Sequence, residues 1–142
     1  MITLSRNSLY EINKQGEAEY PHECCGFLFG TIDATGKKIV HRILPIPNAR
    51  EDQARHNRFL ITPQDFMHGE LVARKEKLDI VGFYHSHPDH PAQPSAYDLE
   101  HAWPVYSYII VAVHERVAQD VTSWVLSNDR TQFVVEIIQK GE

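Results

Sequence analysis

The chain has 142 residues, of which 42% are hydrophobic and 23% charged, a composition typical of a globular domain that buries a core. Its 14 basic and 19 acidic residues give a net charge of −5, which argues against nucleic-acid binding because no dense Lys/Arg patch is present. The most apolar run, 108–113, is too short to span a bilayer, and the N-terminus is too polar for a signal peptide. We therefore expect a single cytoplasmic domain over residues 1–142.

Helix and strand signals alternate in the first part of the chain. Residues 5–19 have the apolar periodicity of an amphipathic helix. Two strands are predicted at 23–31 and 37–46, with turn-forming residues between them. The chain is then polar and loop-like over 47–56 and extended over 57–61.

A second helix is predicted to begin after Thr62 and to run to about residue 77. Pro63 at its first position and Asp65 in its first turn are typical of a helix start. Residues 79–84 are apolar, partly β-branched and aromatic, as expected of a buried strand. Three further strands are predicted at about 106–113, 120–127 and 131–138. This element order predicts an α/β fold in which helices flank a mixed sheet.

Two histidines, His85 and His87, follow the predicted strand at a spacing of two. That spacing places both side chains on one face of a strand, whereas a helix would separate them. Pro88 cannot donate to a sheet, so the strand is predicted to end there. The residues alone leave two interpretations open: a pair of metal ligands, or two packed rings that each need a polar partner.

A short helix is predicted to begin after Ser95 and to end before Pro104. Ser95 followed three residues later by Asp98 is the pattern of a capping box, and capping alone accounts for both residues. Because the pair follows the histidines closely, the helix is also suited to direct Asp98 at the strand end as a third metal ligand.

The two cysteines, Cys24 and Cys25, are adjacent. Neighbouring residues rarely form a disulfide, so we expect both thiols to be reduced. We interpret them as small buried side chains, because the local sequence supplies no evident Cys-His pair for a thiol nucleophile.

The spacing of His85-Ser86-His87-Pro88 and Ser95-x-x-Asp98, with Glu23 upstream beside Cys24-Cys25-Gly26, resembles the JAMM (MPN-plus) metallopeptidases. The resemblance extends from about residue 4 to 138, and residues 20–30 are most similar to the small bacterial members. It implies a mixed sheet with flanking helices, related to the fold of cytidine deaminases.

The resemblance also implies the chemistry. His85, His87 and Asp98 would bind one zinc ion, Glu23 would act as general base, and Ser95 would help to stabilise the tetrahedral intermediate. The implied substrate is a ubiquitin-like sulfur-carrier protein, cut after its C-terminal Gly-Gly.

Two alternatives remain at this stage, and a third, a zinc deaminase, is set aside. Glu23 as a fourth ligand would make a closed, structural zinc site. A zinc deaminase would need His-x-Glu and Cys-x-x-Cys motifs, which the sequence lacks. A non-catalytic module of the same fold would use the site only to hold a protein tail.

Overall fold

The computed structural model describes residues 1–47 and 61–141. Three helices and eight strands are formed within this part of the chain. In chain order they are β1 Ile2–Leu4, α1 Arg6–Glu19, β2 Cys25–Ile32, β3 Lys38–Ile46, α2 Pro63–Lys75, β4 Asp79–Pro88, α3 Ala96–Glu100, β5 Ser107–His114, β6 Val117–Leu126, β7 Phe133–Glu136 and β8 Ile138–Lys140.

All eight strands belong to one mixed sheet with the order β7-β6-β5-β4-β2-β3-β1-β8. The pairs β4–β5, β1–β3 and β1–β8 are parallel, and the other pairs are antiparallel. The two strands at the sheet edges, β7 and β8, are separated in sequence only by Ile137. The chain therefore passes directly from one edge to the other, and the sheet curls strongly.

Two apolar clusters cover the faces of the sheet. One cluster contains Ile12 of α1 together with Tyr84 and Val111, and the other contains Ala73 of α2 together with Phe27. Because the two helices contribute to different clusters, we assign them to opposite faces. Strand β4 supplies residues to both clusters, which places it centrally and makes it a rigid support for the side chains near its end.

Each long helix has a glycine where it packs closely on the sheet. A Cβ on Gly16 of α1 would approach Val113 Cγ2 to 2.9 Å, and one on Gly69 of α2 would approach the Phe27 ring to 2.5 Å. Real Cβ atoms rarely come so near a neighbouring side chain, so each glycine lets its helix pack directly on the sheet.

Most of the predicted elements are confirmed. Both long helices begin close to the predicted positions; Ser5 is the N-cap of α1, and α2 has a complete capping box between Thr62 and Asp65. The predicted strand 131–138 is wrong as a single element, because the chain changes partner strand at Ile137. The sequence analysis did not predict β1, which has only three residues. Predictions for 48–60, which cover most of the expected loop and extended piece, lie outside the described residues.

Within the described residues, no helix is long and apolar enough to cross a membrane.

Candidate metal centre

Four polar side chains from three segments meet at the end of β4. His85 and His87 project from the last residues of the strand and are 1% and 7% exposed. Glu23, which directly precedes Cys24 and β2, is 4% exposed. Asp98 comes from α3, and its side chain is 6% exposed. Since burial of so many ionisable groups is costly, the cluster must gain compensating interactions.

The strand geometry brings the two histidines together as predicted. Their rings have centroids 5.0 Å apart, and their Nε2 atoms are separated by 3.2 Å. The carboxylate of Asp98 lies across both of them, with Oδ1 3.3 Å from Nε2 of His85 and Oδ2 3.2 Å from Nε2 of His87. Three potential ligand groups therefore converge on one point.

Asp98 is held in place by the capping box that its sequence predicts. The Ser95 N–H donates to Oδ2 of Asp98 at 2.9 Å, and the Asp98 N–H donates to Oγ of Ser95 at 3.1 Å. The two interpretations of this motif are therefore compatible, because the capping box orients the carboxylate that faces the histidines. Ser95 accepts the Asp98 N–H through a lone pair, so that contact does not use its hydroxyl proton.

The tautomer of His87 follows from a contact that the sequence does not reveal. Nδ1 of His87 lies 2.9 Å from the carbonyl oxygen of Pro91, which can only accept a hydrogen bond. Nδ1 must therefore carry a hydrogen, and a neutral His87 presents a lone pair at Nε2. Metal-binding histidines commonly have such a partner on the second ring nitrogen.

Glu23 is the fourth buried polar residue of the cluster. The ligand atoms of Glu23, His85 and His87 all lie within 4.8 Å of one another. The backbone next to Glu23 is fixed to β4, since the Cys24 N–H donates to Oγ of Ser86 at 2.8 Å and the Ser86 N–H donates to the Cys24 carbonyl at 3.1 Å.

The electrostatics of the cluster favour a bound cation. Burial lowers the pKa of His85, although Asp98 opposes that change. Burial also favours neutral His87, but hydrogen bonds to Asp98 and the Pro91 carbonyl outweigh it and raise its pKa. Burial opposes ionisation of Asp98, yet the charges and hydrogen bonds of His85 and His87 hold its pKa well below the usual range. The ionised carboxylate thus stands beside two imidazole nitrogens and attracts positive charge.

The donor set fits a zinc ion. At zinc–ligand distances near 2.0–2.1 Å, tetrahedral ligand atoms lie about 3.3 Å apart. The contacts of 3.2 and 3.3 Å among His85, His87 and Asp98 match this separation. Two imidazoles and one carboxylate are also ligand types that zinc accepts, and three protein ligands leave a position for water.

The cysteines do not join this chemistry. Cys24 and Cys25 are both fully buried and belong to different apolar clusters. Burial raises the pKa of Cys24 to about 12 and raises that of Cys25 further. Because the thiolate is the reactive form, these residues act as packing groups, as the sequence analysis predicted.

A cavity that the sequence did not predict adjoins the cluster. It has a volume of about 350 Å³, and its wall includes His85 and Asp98. The rest of the wall is mainly aromatic and is formed by α2, β4, β5 and the segment around α3. No local motif announces such a cavity, because its aromatic residues are dispersed in sequence.

Comparisons with known proteins agree with this architecture. A family model described as prokaryotic homologs of the JAB domain matches residues 5–127. A curated desampylase from Haloferax volcanii is 34% identical over 116 residues, which cover 80% of this chain and 79% of that protein. A probable TtuB-protein conjugate cleaving protease from Thermus thermophilus is 33% identical over 76 residues, or 53% of this chain and 49% of that protein.

The match to a solved structure of a protein from Salinibacter ruber covers 100% of this chain and 92% of that chain, with a TM-score of 0.77 and 39% sequence identity.

Proposed function

Because this chain belongs to the family of prokaryotic homologs of the JAB domain, we propose that it is a zinc-dependent peptidase that cuts after the C-terminal Gly-Gly of a ubiquitin-like sulfur-carrier protein. The observation that carries the proposal is the convergence of His85, His87 and Asp98 beside the buried Glu23. The desampylase and the TtuB-conjugate cleaving protease support hydrolysis of conjugates, by their names.

His85, His87 and Asp98 are the residues we assign to hold the zinc. When bound, zinc acidifies a water molecule and polarises the carbonyl of the scissile amide. The capping box around Ser95 and the Pro91 carbonyl fix two of the three ligands before substrate arrives, which limits the reorganisation needed for catalysis.

We assign Glu23 as the general base rather than a ligand. Asp98 contacts both imidazoles at 3.2–3.3 Å and completes a set of three ligands, and the Glu23 carboxylate beside them, within 4.8 Å of both imidazoles, is then available as a base. From that position Glu23 accepts a proton from the attacking water and then transfers it to the nitrogen of the leaving group. Glu23 both removes the proton and returns it, so a second acid is not required.

Ser95 is assigned to the oxyanion. Its Oγ already accepts the Asp98 N–H, so the position of the hydroxyl is fixed relative to a ligand. A hydroxyl donor at the developing oxyanion contributes roughly 10²–10³ in rate when it is aligned. The substrate's two glycines carry no side chains and thread a narrow approach, while the folded body of the carrier binds outside it.

We place this activity in the cytoplasm, where the adjacent cysteines stay reduced.

The experiment uses a ubiquitin-like sulfur carrier with either a C-terminal amino acid adduct or a lysine-linked conjugate after Gly-Gly. Mass spectrometry should show release of the intact carrier ending in Gly-Gly. Equal cleavage of unrelated unfolded peptides, with the carrier left intact, would indicate a general peptidase. Zinc binding without cleavage of either substrate would indicate a module that only binds a protein tail.

A further inference from the structure

The cavity beside the metal centre has the properties of a side-chain pocket. It holds about 350 Å³ and opens along His85 and Asp98. Phe66 packs against Phe83 with ring centroids 6.2 Å apart and stacks on Trp103 at 6.5 Å. Phe83 also stacks on Tyr108 at 5.6 Å. The wall is thus a continuous set of aromatic rings.

Two hydroxyl oxygens of this wall already accept backbone N–H groups. Oγ1 of Thr62 accepts the Asp65 N–H in the cap of α2, and the hydroxyl of Tyr108 accepts the Trp103 N–H at 2.7 Å. Aromatic rings form most of the remaining wall, so an occupant meets mainly apolar surface. A charged or strongly polar side chain would lose its hydration there without adequate compensation.

The position of the wall relative to Glu23 indicates which part of the substrate enters. His85 and Asp98 line the cavity, whereas neither Glu23 nor His87 is among the described residues of its wall. The residue that protonates the leaving nitrogen must lie within hydrogen-bond reach of that nitrogen. Because Glu23 is not among the described wall residues, we assign the cavity to the acyl portion of the substrate.

Two glycines cannot fill an aromatic cavity. An extended chain advances about 3.3–3.6 Å per residue, so a Gly-Gly pair spans about 7 Å from the scissile bond. The first side chain on the acyl side is therefore that of the residue before Gly-Gly. An aromatic-walled cavity that begins at His85 and Asp98 suits this side chain.

We propose that this cavity binds a large apolar or aromatic side chain located immediately before the Gly-Gly of the substrate tail, and that it selects substrates by that residue. The inference rests on the proposed function, which it deepens by naming the chemistry of the tail. Trp103, which is 65% exposed and covers Phe66, forms the outer part of the pocket.

The test is a peptide series, acetyl-Ala-X-Gly-Gly-Ala-amide, in which X is Leu, Phe, Ala or Asp. With zinc-loaded protein, release of Ala-amide should show kcat/KM at least about tenfold higher for Leu or Phe than for Ala or Asp. Trp103→Ala should reduce this ratio by about threefold or more. Tyr10→Ala is the matched control, because Tyr10 is 60% exposed on α1 and lies outside the cavity wall.

A second series keeps X as Ala and replaces the released Ala-amide by Phe-amide. Two outcomes would overturn the inference while leaving the proposed hydrolysis intact. One is equal kcat/KM for all four X residues in the first series. The other is a preference for Phe-amide over Ala-amide in the second series that exceeds the preference for Leu or Phe over Ala at X.

Calorimetry separates this inference from the proposed function. The X = Phe and X = Asp peptides are titrated into the Glu23→Gln protein, which leaves every described wall residue unchanged. Binding at least about fivefold tighter for Phe would support the pocket even if no peptide were hydrolysed. Equal affinities would overturn it.

Discussion

The hydroxyl of Tyr20 donates a 2.5 Å hydrogen bond to Oδ2 of Asp89. Asp89 directly follows β4, and its Oδ1 accepts the Glu115 N–H at 2.9 Å. These contacts fix the start of the loop whose Pro91 carbonyl orients His87. Tyr20 therefore supports the loop that carries Pro91, and these contacts reach His87 only through that loop.

Removing this anchor should weaken metal binding. We expect Tyr20→Phe to lower zinc affinity by roughly threefold, less than the 10–100-fold that loss of a direct hydrogen-bond partner of a metal ligand commonly costs. Competition with a chromogenic chelator measures the change, and Tyr10→Phe, which alters an exposed tyrosine of α1, is the control. Unchanged affinity in Tyr20→Phe would show that the loop holds its position without the Tyr20–Asp89 hydrogen bond.

The ligand assignment predicts that His87→Ala loses stoichiometric zinc, as should His85→Ala and Asp98→Asn. When free zinc is 100 times its Kd, binding raises the free energy of unfolding by about 3 kcal/mol. Each variant should lose this stabilisation. His90→Ala is the control, because His90 is exposed on the same loop. Elemental analysis and thermal unfolding provide the measurements, and full zinc occupancy in His87→Ala would contradict the assignment.

Substitution of the base should separate metal binding from hydrolysis. Glu23→Gln preserves the shape of the side chain but removes its ability to accept the proton of water. We expect normal zinc content and thermal stability with hydrolysis reduced by at least about 10³-fold, a loss within the range for removal of general acid–base catalysis. Loss of zinc from this variant would instead identify Glu23 as a ligand of a closed site.

Ser95 should affect both rate and stability. Ser95→Ala removes the cap of α3, which should cost about 1 kcal/mol in the free energy of unfolding, and the proposed oxyanion donor. We expect kcat to fall by about 10²-fold with little change in KM, whereas Ser95→Thr should retain most activity. Ser5→Ala removes the cap of α1 and controls for stability alone. Equal rate losses in Ser5→Ala and Ser95→Ala would refute the catalytic role.

The buried thiols should resist alkylation. Burial raises the pKa of Cys24 to about 12 and raises that of Cys25 as well, so both remain protonated as pH rises from 7 to 9. We expect iodoacetamide to label neither residue in the native protein and to leave hydrolysis unchanged over this range, with labelling after unfolding as the control. Rapid native labelling at pH 8, accompanied by inactivation, would indicate a thiol nucleophile.

Local patterns in the sequence predicted much of the fold. The helix cap at Thr62 specifies backbone hydrogen bonds directly, and the spacing of His85 and His87 specifies a shared strand face. The split of the last predicted strand at Ile137 was not predictable, because it depends on the two edges of the sheet meeting there.

The sequence predicted those side chains of the candidate site that belong to a recognisable motif. His85, His87, Asp98 and Glu23 are brought together as expected. The Pro91 contact was not predictable, because every residue has a backbone carbonyl and only the path of the loop selects this one. The aromatic cavity was missed for a similar reason, since α2, β4 and β5 contribute rings at unrelated sequence positions.

Zinc titration tests most directly whether hydrolysis depends on one zinc ion bound per chain. The metal-free protein is titrated with zinc while hydrolysis of a carrier–Gly-Gly adduct is followed by mass spectrometry. Our account predicts that activity is absent at first, rises in proportion to bound zinc and reaches its maximum at about one equivalent per chain, with the His87→Ala protein inactive throughout. Full hydrolysis by the metal-free protein, or activity of His87→Ala equal to that of the unmodified chain, would contradict it.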